Sequence, residues 1–209
     1  MFAGSIPVFA VRLAVNLPPL ILASSSPRRL VLLRGLGVEF NVVPSDADEV
    51  HNEQLTATEV SQLNAYRKAY AVAKKFPDAL VLGADTLVYL DEKLMGKPAD
   101  LKDAYRMLKQ LQGRTHEVVT GVCLIHLRGH RQKIFAESTS VRFRQMDAEQ
   151  IHDYLARTDP LDKAGAYAIQ EHGEKIVEDI RGSYSNVVGL PLERLRAELM
   201  AWEETEMEL

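Results

Sequence analysis

Residues 20–29 are Leu20-Ile21-Leu22-Ala23-Ser24-Ser25-Ser26-Pro27-Arg28-Arg29. The apolar start predicts a short strand, which ends in three serines and turns at once into a helix. Pro27 suits the first helical position because its missing N–H would have no partner there, and Ser26 is a good N-cap. Leucines on successive turns then give the helix an apolar face, and Gly37 is expected to end it.

The start of this helix has the features of a phosphate site. A helix N-terminus gathers free backbone N–H groups and partial positive charge. Ser24 adds a hydroxyl, and Arg28 and Arg29 add two guanidinium groups. An ordinary capped helix with two solvated arginines fits the same residues. Of these two interpretations, we favour the one in which the start of the helix binds phosphate oxygens.

The composition limits the class of protein. The chain has 209 residues, of which 46% are hydrophobic and 26% charged, so it can bury a core of one ordinary or two small domains. Its formal net charge of −4 argues against a protein that binds nucleic acid or membrane surfaces in general, because it has no excess of basic residues to pair with phosphates. A polyanionic ligand would therefore need a local basic cluster, a metal ion, or both.

Two features bear on the compartment. Cys123 is the only cysteine and lies in an apolar run, so we expect an inert buried thiol, no disulfide framework and a reducing, cytoplasmic location. Residues 1–16 lack the basic start of a signal peptide and are too short and interrupted to span a bilayer. We expect an N-terminal extension over residues 1–16 ahead of a single domain over residues 17–209. A weak membrane-targeting role for the extension is the alternative.

Strands and helices alternate along the rest of the chain. Strands are predicted at 38–43, 79–90, 117–127, 132–143 and 176–180, and a loop at 182–189. Helices are predicted from the caps Thr56, Asp100 and Asp147 and from Pro191. The two long strands predict an antiparallel hairpin. This order indicates an α/β fold with one mixed, twisted sheet flanked by helices around a cleft.

Asp85 is the leading catalytic candidate. It interrupts the most strand-like run of the chain, where a buried charge needs a cation, a set of hydrogen bonds or a raised pKa. Gly83 leaves the backbone room for a ligand. A turn cap or a structural pair with an arginine is the alternative.

Other charged residues indicate a functional site only if the fold brings them close to Asp85. Asp48 and Glu49 lie in an acidic loop, and two or three carboxylates at one place form an oxygen-rich site for Mg²⁺ or Mn²⁺. Lys97 stands between a glycine and a proline, and Lys68 lies in the middle of a helix. Both lysines are candidate phosphate ligands, although most such lysines are simply solvated.

Residues 162–170 are too small and apolar for a surface helix. They predict either a segment where backbone closely approaches a ligand or a tightly packed strand. Gln170 has a donor and an acceptor with which to bind a base edge. The histidines lack the spacing of a zinc site, and the chain contains no glycine-rich phosphate-loop motif.

In their order, these stretches resemble the Maf family of nucleoside triphosphate pyrophosphatases. The matching segments are 22–29, 46–49, 68–69, 83–86, 96–98, 162–170 and 184–191. The resemblance runs from Leu17 to about Arg196. It implies an inosine-triphosphatase-like fold of two lobes around a cleft, a homodimer, and cleavage between the α- and β-phosphates with a divalent metal cation.

The resemblance also implies roles for individual residues. Asp85 would be the proton acceptor, and Arg28, Thr86 and Gln170 would set base choice. The pattern around Gln170 is similar to the dTTP/UTP branch. Two positions depart from the family: Asp48 stands where glutamate is frequent, and a different tripeptide follows Gln170.

Two other functions stay open. One is a nucleotide-binding regulator of septum formation or cell division with little turnover, although a pure binder has no need for a carboxylate such as Asp85 facing the phosphates. The other is a 7-methyl-GTP pyrophosphatase, which differs in its base pocket alone. Rates on dTTP, UTP, CTP and 7-methyl-GTP would separate them.

Overall fold

The computed structural model describes residues 17–206, so the predicted N-terminal extension over residues 1–16 lies outside the described residues. The strands are β1 (Leu20–Leu22), β2 (Phe40–Val42), β3 (Leu80–Leu90), β4 (Lys93–Met95), β5 (Thr115–His126), β6 (Arg131–Phe143) and β7 (Val177–Arg181). The helices are α1 (Pro27–Gly35), α2 (Ala57–Ala73), α3 (Leu101–Leu111), α4 (Ala148–Arg157), α5 (Gly173–Ile176), α6 (Tyr184–Val188) and α7 (Leu192–Glu206). A 3₁₀ turn covers Ala164–Ala166.

The strands of residues 17–206 form one mixed sheet in the order β2-β1-β3-β5-β6-β7, with β4 paired to β3. β1 runs parallel to β2 and β3, whereas β5, β6 and β7 continue the sheet in antiparallel pairs. Alternate strand residues divide the core: Leu22 packs with α1, α3 and α7, whereas Ile21 packs with α2. The predicted α/β class, with a mixed sheet flanked by helices, and the predicted hairpin are confirmed.

Helix α2 lies unusually close to the sheet. A Cβ atom on Gly83 of β3 would be 2.4 Å from the carbonyl oxygen of Ala65, and one on Gly121 of β5 would be 2.3 Å from the backbone of Ser61. Only glycine permits this approach. The close contact places the polar residues of α2 beside the middle of β3, where Asp85 lies.

One local prediction differs from the structure. The predicted loop 182–189 contains the one-turn helix α6, because the Ser183 hydroxyl accepts a hydrogen bond from the N–H of Asn186 and caps it. Gly37 ends α1 as predicted: it follows the C-cap Leu36 in the left-handed region at φ +70°, and its N–H donates to the Arg34 carbonyl. Of the two alternatives for residues 162–170, the strand does not form, because the chain makes a 3₁₀ turn in which Gly165 adopts φ +70°.

Among the helices described above, none combines the length and the apolar composition that crossing a bilayer requires.

Candidate active site

A cavity of about 570 Å³ opens where β1 gives way to α1. Its walls come from this connection, the 45–51 loop, the middle of β3, the 94–97 segment, residues 162–170 and the end of α6. Nine of the ten predicted site residues line it: Ser24, Arg28, Arg29, Glu49, Lys68, Asp85, Thr86, Lys97 and Gln170. Segments far apart in sequence therefore meet in one cleft, as predicted.

Asp48 is the predicted residue that does not line the cavity. Residues 45, 47, 49 and 51 line it and the intervening residues do not, which is the alternation of an extended chain. The backbone carbonyl of Asp48 accepts a hydrogen bond from Arg67 Nε at 3.2 Å. Its neighbour Asp46 pairs with Lys75 away from the cleft. The expectation that Asp48 joins the other carboxylates is therefore wrong.

Asp85 has the compensated environment that its position requires. The residue is 3% exposed. Its Oδ1 lies 2.6 Å from Lys68 Nζ, and its Oδ2 accepts a hydrogen bond from Asn64 Nδ2 at 3.0 Å. The partner is thus a lysine and an amide, not the structural arginine considered from the sequence. Both partners come from α2, four residues apart and so on one face.

Lys68 joins two carboxylates. Its ammonium also lies 2.7 Å from Glu49 Oε1. Burial alone would raise the pKa of Glu49, but the hydrogen bond and the charge of Lys68 outweigh it and hold that pKa below its ordinary value. Glu49 is therefore an anion at neutral pH. Asp85, Lys68 and Glu49 form a polar floor for the cavity.

Arg29 is bound to the protein on several sides. It donates from Nε to the Gly189 carbonyl at 2.9 Å, from Nη2 to the Thr86 hydroxyl at 3.0 Å, and from Nη1 to the Ser24 hydroxyl at 3.4 Å. Burial lowers its pKa, an effect that the charge of Asp85 opposes. Arg29 therefore joins three walls of the cleft and orients Thr86.

The other cations lie nearer the mouth. Arg28 is half-buried and pairs with Asp162 at 3.2 Å, an ion pair that reaches across the cleft. Lys97 lines the cavity on the segment after β4, and this segment is tied to residues 162–170 because the Gly165 N–H donates to the Gly96 carbonyl at 3.0 Å. Arg28 and Lys97 thus supply positive charge to one cavity from two different segments of the chain.

The segment that ends in Gln170 is held from behind by a buried tyrosine. Tyr154 Oη accepts from the Ala168 N–H at 3.1 Å and donates to the Ala168 carbonyl at 3.3 Å. Gln170 itself is exposed at the cavity wall. The sequence did not reveal Tyr154 or Asn64, because each acts through a contact distant along the chain.

The donor chemistry allows one kind of metal site. In the part of the chain that the structure describes, no group of three or more His, Cys, Asp or Glu side chains is placed to hold an ion. Asp85 and Glu49 nevertheless offer carboxylate oxygens in one cavity. Mg²⁺ is typically bound by one or two carboxylates together with substrate phosphates. These two residues fit a cation of that class, and of the two acidic candidates in the 45–51 loop it is Glu49, not Asp48, that lies with Asp85.

Comparison with known proteins identifies the family. The "dTTP/UTP pyrophosphatase" of Acetivibrio thermocellus is 49% identical over 183 residues, covering 84% of this chain and 91% of that protein. The proteins of the same name from Symbiobacterium thermophilum and Ruminiclostridium cellulolyticum are 47% and 45% identical over 84% of this chain, and 89% and 92% of their own lengths are covered. The model of the Maf-like protein family matches residues 19–202. The chain therefore belongs to the Maf-like protein family.

Proposed function

We propose that this chain is a nucleoside triphosphate pyrophosphatase that hydrolyses dTTP and UTP to the nucleoside monophosphate and pyrophosphate. The observation that carries the proposal is the buried carboxylate of Asp85, held against Lys68 in a cavity that Arg28 and Lys97 also line. A binding protein gains nothing from a fixed anion beside the phosphates, whereas hydrolysis needs a proton acceptor there. The names of the relatives indicate the same substrates.

The cations of the cleft bind the triphosphate. Arg28, Lys97 and the start of α1 line the cavity, so the two side-chain charges and the partial positive charge of the helix N-terminus offset the charge of the phosphate oxygens. Arg28 would exchange its partner Asp162 for a phosphate oxygen. Lys68 lies beside both carboxylates, so its charge also moderates their repulsion of the phosphates.

Asp85 accepts the proton of the attacking water. Asn64 fixes Oδ2, which orients the carboxylate, while Oδ1 lies toward Lys68. As the water oxygen bonds to phosphorus, its proton moves to the carboxylate, and the bond between the α- and β-phosphates breaks with its electron pair on the leaving group. A Mg²⁺ or Mn²⁺ ion held by Asp85 and Glu49 would neutralise phosphate charge.

Thr86 and Gln170 select the base, and both line the cavity together with Arg28. A side-chain amide binds a pyrimidine edge through one donor and one acceptor. A site built for such hydrogen bonds discriminates strongly, because the wrong base leaves its polar groups without partners. This favours uracil-type bases over 7-methylguanine.

A nucleotide panel tests the proposal. Pyrophosphate release is followed with dTTP, UTP, CTP and 7-methyl-GTP in Mg²⁺ and in Mn²⁺. We expect the largest kcat/KM on dTTP and UTP. A maximum on 7-methyl-GTP would assign the other branch, and nucleotide binding without turnover would indicate the regulatory function.

The assembly and location follow the same inference. We propose a homodimer in the cytoplasm, on the family resemblance and the single buried cysteine. Sedimentation at twice the chain mass supports the dimer, and a monomer at micromolar concentration would contradict it.

A further inference from the structure

A buried chain of hydrogen bonds lies behind Thr86. The Thr86 hydroxyl is 3.0 Å from the hydroxyl of Thr120, its direct partner across the β3–β5 pair. Thr120 Oγ1 is in turn 3.1 Å from the backbone carbonyl of Asn186 in α6. Thr86 lines the cavity, whereas Thr120 is 0% exposed and lies behind the wall. Thr120 therefore influences a ligand only through Thr86.

The donors and acceptors of this chain fix the direction of each proton. The Asn186 carbonyl can only accept, so the single hydroxyl proton of Thr120 points to it. Thr120 must then accept from Thr86. The guanidinium of Arg29 can only donate, so it occupies one lone pair of Thr86. Thr86 thus donates inward and keeps its second lone pair for the cavity.

The alternative arrangement is weaker. It would turn the Thr120 proton toward Thr86 and send the Thr86 proton to the Gly189 carbonyl, 3.5 Å away. That distance is at the limit of a hydrogen bond, and the Asn186 carbonyl would lose its 3.1 Å donor. When Thr120 donates to the Asn186 carbonyl, Thr86 presents a lone pair and not a proton to the cavity.

Asn186 keeps its carbonyl in place through its own side chain. Its Nδ2 donates to the Val118 carbonyl and to the Thr139 hydroxyl, both at 3.0 Å, and the residue is fully buried. These bonds fasten α6 to β5 and β6. The acceptor that sets the proton of Thr120 is therefore rigid.

We propose that Thr120 is a positioning residue that fixes the Thr86 hydroxyl as a hydrogen-bond acceptor toward the cavity and thereby favours a pyrimidine with a hydrogen on ring N3. The inference rests on the proposed function and deepens it. Uracil and thymine carry N3–H, a donor that matches the lone pair of Thr86. Cytosine carries a bare N3, and two acceptors would face each other there.

The test compares UTP with CTP in variants of Thr120. Thr120→Val keeps the shape of the side chain and removes the hydroxyl. The Asn186 carbonyl still accepts from the Gly189 N–H at 3.0 Å, so the fold should tolerate the change. The Thr86 hydroxyl can then rotate and donate into the cavity. Thr120→Ser keeps the hydroxyl and is the matched control, and Thr120→Ala is made in case the valine variant does not fold.

We expect the preference for UTP over CTP, measured as a ratio of kcat/KM values, to fall about tenfold in Thr120→Val or Thr120→Ala. The change should come mainly through KM, because the Thr86 hydroxyl becomes able to donate a hydrogen bond to the base as well as to accept one. Thr120→Ser should keep the wild-type ratio. In a Thr86→Val background, Thr120→Val should leave the ratio unchanged. An equal loss of kcat/KM on UTP and CTP in Thr120→Val, or a Thr120→Ser variant whose ratio falls as in Thr120→Val, would overturn the proposal.

Calorimetry with UMP and CMP gives the ratio of their dissociation constants, which reports the same base preference without turnover. A wild-type chain that hydrolyses none of the nucleotides would contradict the proposed function, while its binding ratios would still decide the role of Thr120. A ratio unchanged by Thr120→Val in a chain that does hydrolyse UTP would reject the positioning role alone.

Discussion

Asp85→Asn replaces one carboxylate oxygen by an NH₂ group and leaves the shape of the side chain unchanged. In either orientation of the new amide, its NH₂ group faces a donor. On one side it meets the ammonium of Lys68, 2.6 Å from Oδ1, and on the other the amide of Asn64, 3.0 Å from Oδ2. The substitution therefore removes the proposed proton acceptor and also creates one mismatched contact.

These contacts set the expected magnitudes. Loss of a general base lowers turnover by about 10²–10⁴-fold. Breaking a buried ion pair costs about 3–5 kcal/mol when the remaining charge is left alone. Here Lys68 keeps Glu49 at 2.7 Å, so we expect a smaller loss of unfolding free energy, about 1–3 kcal/mol.

Steady-state pyrophosphate release from dTTP measures the first quantity, and urea unfolding measures the second. Asp78→Asn is the matched control: Asp78 is an exposed carboxylate that pairs with Arg128 outside the cavity. We expect its turnover to equal that of the wild type. Turnover of folded Asp85→Asn within tenfold of the wild type would refute the role of Asp85 as proton acceptor.

Three further predictions concern the fold. Burial lowers the pKa of His116 from its ordinary value of 6.5 to about 4, so between these pH values the unfolded chain binds a proton that the folded chain does not. Acidification from pH 6.5 to 4 should therefore lower the free energy of unfolding of the wild type by up to about 3 kcal/mol more than that of His116→Gln, as measured by urea unfolding. Gly83→Ala should destabilise by about 1–3 kcal/mol, because the new Cβ would lie 2.4 Å from a carbonyl, whereas Gly35→Ala, with open space, should not. Burial raises the pKa of Cys123 to about 12, so a thiol reagent should modify it only after unfolding.

The sequence predicts a residue well when its surroundings are local. Asp85 stands out because a carboxylate inside an apolar strand must be compensated, and the serine and proline before Arg28 specify a helix start. For Asp48 the local sequence is not enough. An extended chain turns neighbouring side chains to opposite sides, so of the adjacent acidic residues Asp48 and Glu49 only Glu49 lines the cavity.

Partners distant along the chain leave no such mark. Thr120 lies in a smooth β-strand pattern, and Tyr154 resembles any apolar residue of α4. Their roles depend on the register of β3 with β5 and on the packing of α4 against residues 162–170. Asn64 is an intermediate case, since its spacing of four residues from Lys68 places both on one helix face. That spacing could have indicated a second polar partner for Asp85.

The most direct test of the account is the identity of the products. Phosphorus NMR of dTTP or UTP turned over by the full chain with Mg²⁺ resolves every phosphate species in one sample. We expect nucleoside monophosphate and pyrophosphate in equal amounts, and formation of both about 10²–10⁴-fold slower with Asp85→Asn. Nucleoside diphosphate with inorganic phosphate, or products that persist in the Asp85→Asn sample at the wild-type rate, would contradict the central claim that this cleft directs water to the bond between the α- and β-phosphates.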